Sequence, residues 1–517
     1  MNHDLSRRTL LSAGIGVAGA AALASCSGST RNSSNSNASL ISPNSSQVAA
    51  AEAKRTSTGR TTSVNLTAVA GMVDLGGVMV NTWSFGGSLP AAPIRISAGD
   101  TLHAHVANHL PTDTSVHWHG VALRNDMDGV PPVTQRAIAA GSAFDYKFIA
   151  ENPGTYWFHP HVGVQLDRGL YGALIVEDPN EPLNYDDEWL VVLDDWLDGV
   201  NGTTPDTEYA ALTKSMSSAS ASASASSMAG MSGMGSMDGM DMGSVGISTL
   251  LGGDAGDVTY AYHLVNGRVP ADPDVYTSKP GKRVRLRIIN AGSDTAYRVA
   301  LGGHQLTLTH TDGYPINHQT VDAVLIAPGE RYDALVTLGD GVFPLVALAE
   351  GKNALGRALV RTGSGTIPSA DARPSELNGM LMTAAQLTSA ADVRLASKTV
   401  ARTHQIKLTG SMGTYSWSLN GIKFDTNNPT ADPYLVSQGE RVRLEFVNTT
   451  TMWHPMHLHG HTFQLGATGP RKDTVIVLPG QSVSCDFDAD NPGQWMVHCH
   501  NAYHGEAGMM GLVGYSA

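Results

Sequence analysis

Apolar and polar positions alternate along much of this chain, and the alternation recurs in a fixed frame at three places. Gly99 to Asn108 reads GDTLHAHVAN, Gly281 to Asn290 reads GKRVRLRIIN, and Gly439 to Asn448 reads GERVRLEFVN. Each is a glycine, a two-residue apolar rhythm and an asparagine nine residues on, which predicts a strand with one buried face. A second glycine follows each segment, Gly141, Gly329 and Gly480, at separations of 42, 48 and 41 residues from the first. Beyond it runs another alternating stretch, Phe144 to Phe148, Tyr332 to Val336 and Val483 to Phe487. No long helical periodicity competes with this pattern. Self-similarity at this spacing predicts three β-rich units, and short alternating strands between turns predict an all-β sandwich for each.

The units are placed at 61–180, 181–375 and 376–517. The middle one is interrupted at 215–246. From Met216 to Met242 the chain is almost all Ser, Ala, Gly and Met, with methionines at 216, 228, 231, 234, 237, 240 and 242. Such a stretch cannot bury a core and is expected to be disordered. At the N-terminus, Ser6-Arg7-Arg8-Thr9 precedes an apolar run from Ile15 to Ala24, too short to span a bilayer and built like an export signal. The run ends in Leu23-Ala24-Ser25-Cys26. Residues 1–25 resemble a twin-arginine signal joined to a bacterial lipobox. That resemblance implies cleavage before Cys26, a lipid on its sulfur, and a place on the outer face of the cytoplasmic membrane. Residues 26–60, rich in Ser, Asn and Thr, read as a flexible tether.

Composition narrows the chemistry. Of 517 residues, 33 are Lys or Arg and 46 are Asp or Glu, a net charge of −13 that argues against a nucleic-acid partner. Three cysteines cannot staple a chain this long, so a disulfide scaffold is excluded. There are 20 histidines, and their arrangement needs an explanation.

Four His-x-His pairs stand out: His117 with His119, His159 with His161, His457 with His459, and His498 with His500. Residues two apart on a strand point to one side, so each pair can present two imidazoles together. Two pairs lie in the first unit and two in the third. His117 and His159 are 42 residues apart, His457 and His498 are 41 apart, and both later pairs follow an Asn-Pro-Gly phrase ending at Gly154 or Gly493. The middle unit is the control: the equivalent positions after Gly341 are Val346 and Leu348. The same alignment sets aside His103 and His105, whose counterparts are Arg285 and Arg287, as a solvated strand face. It also matches His461 to His304 of the ligand-free unit, a scaffold position, and makes Cys485 a small buried hydrophobe.

Cys499, between two histidines, points the other way and needs partners of its own. His504 and Met509 follow it at intervals of five, and His454 stands just before the third pair. Two His, one Cys thiolate and a weak thioether form the blue-copper electron-transfer set. Eight imidazoles remain for a separate cluster.

The phrases HWHG, WFHPH, HPMHLHGH and HCHNAYHGEAGM resemble the four copper motifs of multicopper oxidases, and the repeats extend the likeness over residues 61–517. It looks most like the three-domain bacterial branch of laccase-like enzymes and copper-resistance cuprous oxidases. The resemblance implies three Greek-key cupredoxin domains and four copper ions. Type 1 copper takes His454, Cys499, His504 and axial Met509. Type 2 takes His117 and His457, and the type 3 pair takes His119, His159, His161, His459, His498 and His500. Electrons then run from Cys499 through His498 and His500 to the cluster, where O2 is reduced to water. Asp128 resembles the family's acidic proton relay, with a turn-forming Asp-Gly as the alternative. Glu506 stands one position beyond the second acid's usual place. The expected reaction is oxidation of Cu(I), gathered by the methionines of the insert, with phenols or Fe(II) as further donors, by a monomer. A general laccase or ferroxidase, and a copper-sequestering surface protein without turnover, are the alternatives.

Overall fold

The computed structural model describes residues 39–214 and 245–517. The expected export signal, Cys26 and the methionine-rich segment Met216 to Met242 lie outside the described residues.

Each sequence unit is a sandwich of two sheets. In the first, strands Met79–Phe85, Thr61–Asp74, Asp100–His109 and Ala143–Ala150 form one sheet in that order. Ala91–Ser97, Gly172–Glu177, Gly154–His159 and His117–His119 form the other. The middle unit pairs two six-stranded sheets, and the third pairs a six-stranded with a five-stranded one. The repeated strands occupy one topological position. Asp100–His109, Arg283–Asn290 and Arg441–Asn448 each lie parallel to the strand that opens their unit and antiparallel to the strand after the second glycine. Alternation becomes burial directly: Leu102, Ala104 and Val106 are buried, while His103 and His105 face outward.

The asparagine that ends each repeat is a latch. Asn108, Asn290 and Asn448 are all buried. Each donates from Nδ2 to two main-chain oxygens, those of Thr112 and Ile138, Thr295 and Ile326, or Met452 and Val477. Each Oδ1 accepts from the main-chain N–H two residues on. The second repeat glycine donates its own N–H to the asparagine carbonyl in all three units. The buried amide is thereby saturated, and the loop leading to the next strand is fixed. In the first and third units that next strand carries the copper-motif histidines.

The outward face is held by a recurrent carboxylate. Asp145 lies beside His103 Nε2 and His105 Nδ1 at 3.2 and 2.9 Å, exposed to solvent. At the matching position Asp333 accepts from Arg285 Nε at 3.0 Å; in the third unit that position is Ser484, and Arg443 Nε donates to Asp486, two residues further on, at 2.7 Å. His103 and His105 thus stand where the middle unit has the structural arginines Arg285 and Arg287. Cys485 is fully buried opposite Leu444, and burial pushes its thiol well up.

Two boundaries differ from expectation. Residues 39–60 are not a free tether. Ser46–Glu52 is a helix whose N-cap is Ser45, Val48 is buried, and Ile41 N–H donates to Tyr515 O at 2.8 Å. Apolar Leu40, Ile41 and Val48, scattered among polar neighbours, find a ready surface on the first and third units. The middle unit also continues past 375. Leu381–Met382 adds a parallel strand to Ala323–Ile326, and Leu377 and Met382 fill its core. The third unit begins its sheet only at Arg402.

Candidate metal centre

Strand pairing brings the His-x-His phrases together. His117–His119 lies against Gly154–His159 with His117 opposite His159, and His454–Leu458 lies against Gln494–Cys499 with His457 opposite His498. In the middle unit Val346 pairs with Ala300 at the corresponding place. The first and third units then meet face to face. His117 stacks on His459 and His119 on His457, each with ring centroids 3.8 Å apart.

Eight imidazoles converge there, all buried except His161, which is partly exposed. His459 Nε2 is 3.0 Å from His498 Nε2, which is 3.5 Å from His161 Nε2. On the other side His500 Nε2 is 3.2 Å from His119 Nδ1. The remaining ring nitrogens explain why these edges face one another. His117, His159, His457 and His498 each donate Nδ1–H to a main-chain oxygen, those of Asp128, Pro160, Asp473 and Cys499, at 2.8–2.9 Å. His459 Nδ1 donates to Asp128 Oδ2 at 2.9 Å, and His119 Nε2 to Asp473 Oδ1 at 3.1 Å. Each such bond fixes a tautomer and leaves the inward nitrogen with a lone pair. The inward Nε2 atoms of His117, His159 and His457 are buried with no hydrogen-bond partner among the described residues. Burial, reinforced by neighbouring imidazoles, holds His159, His161, His459, His498 and His500 well below the ordinary histidine range. Neutral, converging and otherwise unpartnered imidazoles are a metal-binding donor set.

A second set lies on the opposite side of the Cys499 strand. Cys499 Sγ is 3.6 Å from Nδ1 of both His454 and His504, and those two nitrogens are 3.0 Å apart. Their far nitrogens are engaged: His504 Nε2 with Asp257 Oδ2 and His454 Nε2 with Thr450 Oγ1, each at 2.8 Å. Burial opposes a charge on His504, but Asp257 prevails and raises it to about 10. Met509 is buried beside them, its carbonyl accepting from Cys499 N–H and its N–H donating to His504 O. The Cys499 strand therefore separates two donor sets by a single peptide bond on either side.

Asp128 is buried with Oδ1 3.2 Å from His117 Nδ1, and Gly129 completes a turn at φ 79°, so the residue serves the turn and touches the imidazoles as well. Glu506 is exposed on a cleft of about 490 Å³ that also reaches His161, His498 and Cys499. His461 bonds Tyr515 Oη and the His459 carbonyl, a scaffold position. Three residues that support these sets carried no recognisable motif: Asp473 and Asp257, which bond the imidazoles, and Arg331, which bonds Asp473. Asp473 stands seven residues before Gly480 just as Asp322 stands before Gly329, so the repeat itself disguises it.

Three family profiles described as multicopper oxidase match residues 69–181, 187–365 and 398–516. The chain belongs to the multicopper oxidase family. It is 47% identical over 514 residues to the multicopper oxidase MmcO of Mycobacterium tuberculosis, covering 99% of this chain and 96% of that protein. It is 28% identical to a copper resistance protein A homolog of Pseudomonas syringae, covering 87% and 91%. Among solved structures, the fold matches the multicopper oxidase Fet3p with a TM-score of 0.72 at 21% identity, covering 88% and 90% of the two chains. It matches the laccase from Botrytis aclada at 0.70 and 23%, covering 89% and 88%. This multicopper oxidase is thus an oxidoreductase of three cupredoxin domains that uses copper, O2 and a reductant.

Proposed function

We propose that this enzyme binds four coppers and oxidises Cu(I) at the expense of O2. His454, Cys499, His504 and Met509 hold the mononuclear type 1 ion. His117 and His457 hold type 2, and His119, His159, His161, His459, His498 and His500 hold the type 3 pair. When bound, copper supplies one-electron acceptance at the first set and four-electron reduction of O2 at the second. The observation that carries the reading is Cys499 itself, whose sulfur faces His454 and His504 while its neighbours His498 and His500 reach the cluster.

The protein's own contribution is orientation and proton handling. Main-chain oxygens and Asp128, Asp257 and Asp473 place the ring protons outward, so the ligand edges are fixed before any ion arrives. Asp128, touching His459 and buried, is the acid proposed to deliver protons for water formation.

Cu(I) as the donor is supported by the methionine-rich segment and by relatives named for copper resistance. The segment's flanks also suit it. Tyr209 and Leu212, just before residue 215, pack on the core that holds Cys499, and the chain returns at 245 shortly before Asp257. Oxygen uptake with Cu(I), Fe(II) and a phenol, compared between the full protein and a deletion of 216–242, tests this. The deletion is expected to slow the Cu(I) reaction at least several-fold and to spare the others. Equal change in all three would make the enzyme a general laccase or ferroxidase. Export and lipid attachment at Cys26 are part of the same reading, checked by the mass of the mature N-terminus.

A further inference from the structure

The middle domain contributes none of the proposed ligands, yet one of its turns is packed on them. Gly329, at φ 86°, stands where a Cβ would lie 2.9 Å from the His500 ring and 3.1 Å from that of His119. Two residues on, Arg331 is fully buried. Its guanidinium forks onto Asp473 of the third domain, Nη1 to Oδ1 at 2.7 Å and Nη2 to Oδ2 at 2.6 Å. Nε donates to the carbonyl of Thr155, on the first-domain strand that ends at His159, and Nη1 also reaches the Gly329 carbonyl. One side chain thus joins all three domains beneath the cluster. Among the three units, only the ligand-free one carries an arginine two residues past its second repeat glycine, where the others have Ala143 and Ser482.

Asp473 in turn governs two imidazoles. Its Oδ1 accepts from His119 Nε2 and its carbonyl from His457 Nδ1, so both rings are tautomer-locked by one residue. Those rings stack at 3.8 Å with planes 13° apart, directing His119 Nδ1 and His457 Nε2 to the centre. A carboxylate this deep holds its charge and its orientation only while a cation faces it. The fork is also built into the copper motif. At Gly120, the glycine of HWHG, a Cβ would lie 2.3 Å from Arg331 Nη2 and 2.6 Å from Asp473 Oδ2. The ion pair passes directly over that backbone, and no side chain fits beneath it.

We propose that Arg331 is a positioning residue of the copper cluster: acting through Asp473, it sets the ring orientation and proton placement of His119 and His457. Through Arg331 the ligand-free domain thereby controls cluster occupancy and the O2 half of the reaction, by a route separate from Asp257, its contact with the mononuclear site. The inference rests on the reading of the eight imidazoles as a trinuclear copper cluster.

The test uses the full-length, copper-loaded enzyme with Arg331→Met and Arg331→Lys, read by copper per chain, the blue thiolate absorption, and the two half-reactions measured separately. In Arg331→Met the blue absorption and the anaerobic reduction rate by donor are expected to stay within about twofold of the parent. Copper per chain falls from about four towards two, and reoxidation by O2 slows at least tenfold. Arg331→Lys, which keeps the charge and loses the fork, falls between the two. A merely structural role would move both sites together, so parallel loss of blue absorption and cluster copper overturns the proposal. Full copper with reoxidation within twofold overturns it too. Where Arg331→Met does not fold, Arg331→Lys is judged on the same readouts. A parent that binds only about one copper overturns the cluster reading itself, and is recognised before any variant is made.

Discussion

His504 Nε2, in the third domain, donates to Asp257 Oδ2, in the middle domain, at 2.8 Å, and the Tyr415 hydroxyl donates to the same carboxylate oxygen at 2.7 Å. The mononuclear donor set is therefore held from across a domain boundary. A ligating histidine whose far nitrogen donates to a carboxylate is a stronger and better-oriented ligand. Asp257→Asn is expected to weaken copper retention at this site by about 10- to 100-fold. Titration of the blue absorption against a chelator measures it, and unchanged retention would remove Asp257 from the site.

The latch asparagines separate stability from site geometry. Asn448 bonds Met452 O and Val477 O and so fixes the loop entering the His454 strand, whereas Asn290 does the same where no proposed copper ligand follows. Replacing either by alanine strands two buried carbonyls, a cost of about 2–4 kcal/mol. Chemical unfolding of the two variants should give similar losses. Only Asn448→Ala should also shift or broaden the blue absorption, and a shift in both would mean the latch acts globally.

These asparagines also show how far sequence alone reaches. The Gly-strand-Asn frame predicted the position and buried face of three strands, and His-x-His spacing on strands predicted which imidazoles share a face. Pairing across domains was implied by the family resemblance and not by the pattern itself, because two distant strands acquire a common site only when the first and third units dock. Asp473 and Asp257 are single carboxylates in ordinary loops, and their roles arise from what folds against them. Leu40, Ile41 and Val48 were hidden in a polar stretch whose composition resembles a linker.

Acid should weaken the boundary between the first and middle domains. Burial alone would raise Asp333, but Arg285 and Arg287 hold it below the ordinary aspartate value, and Thr155 Oγ1 donates to it across the boundary. A depressed carboxylate contributes stability that is complete above about pH 4 and is lost as pH falls through its folded value. Asp333→Asn, which leaves Arg285 and Arg287 paired only with the outlying Glu181 and Glu188, is expected to cost up to about 3 kcal/mol at neutral pH. The deficit should shrink at acid pH, as the parent loses the same charge on passing through the folded value of Asp333. Urea unfolding at both pH values measures it, and a deficit independent of pH would show that the charge is not what matters.

Asp128 tests the proton route. Its Oδ2 accepts from His459 Nδ1 at 2.9 Å. Asp128→Asn keeps the shape and removes the base, so turnover is expected to fall by about 100-fold with the blue absorption intact. Stopped-flow reoxidation and its pH profile distinguish this from loss of copper, and a parent-like profile would assign Asp128 to the turn alone.

The central claim is that electrons enter at Cys499 and leave to O2 at the eight histidines. Oxygen consumption with Cu(I) as sole reductant tests it most directly, comparing the parent with Cys499→Ser. The account predicts continuous uptake by the parent, about four Cu(I) oxidised per O2 without peroxide release, and near-complete loss in the variant. Full turnover by Cys499→Ser, or a parent that takes up Cu(I) without consuming O2, would contradict it.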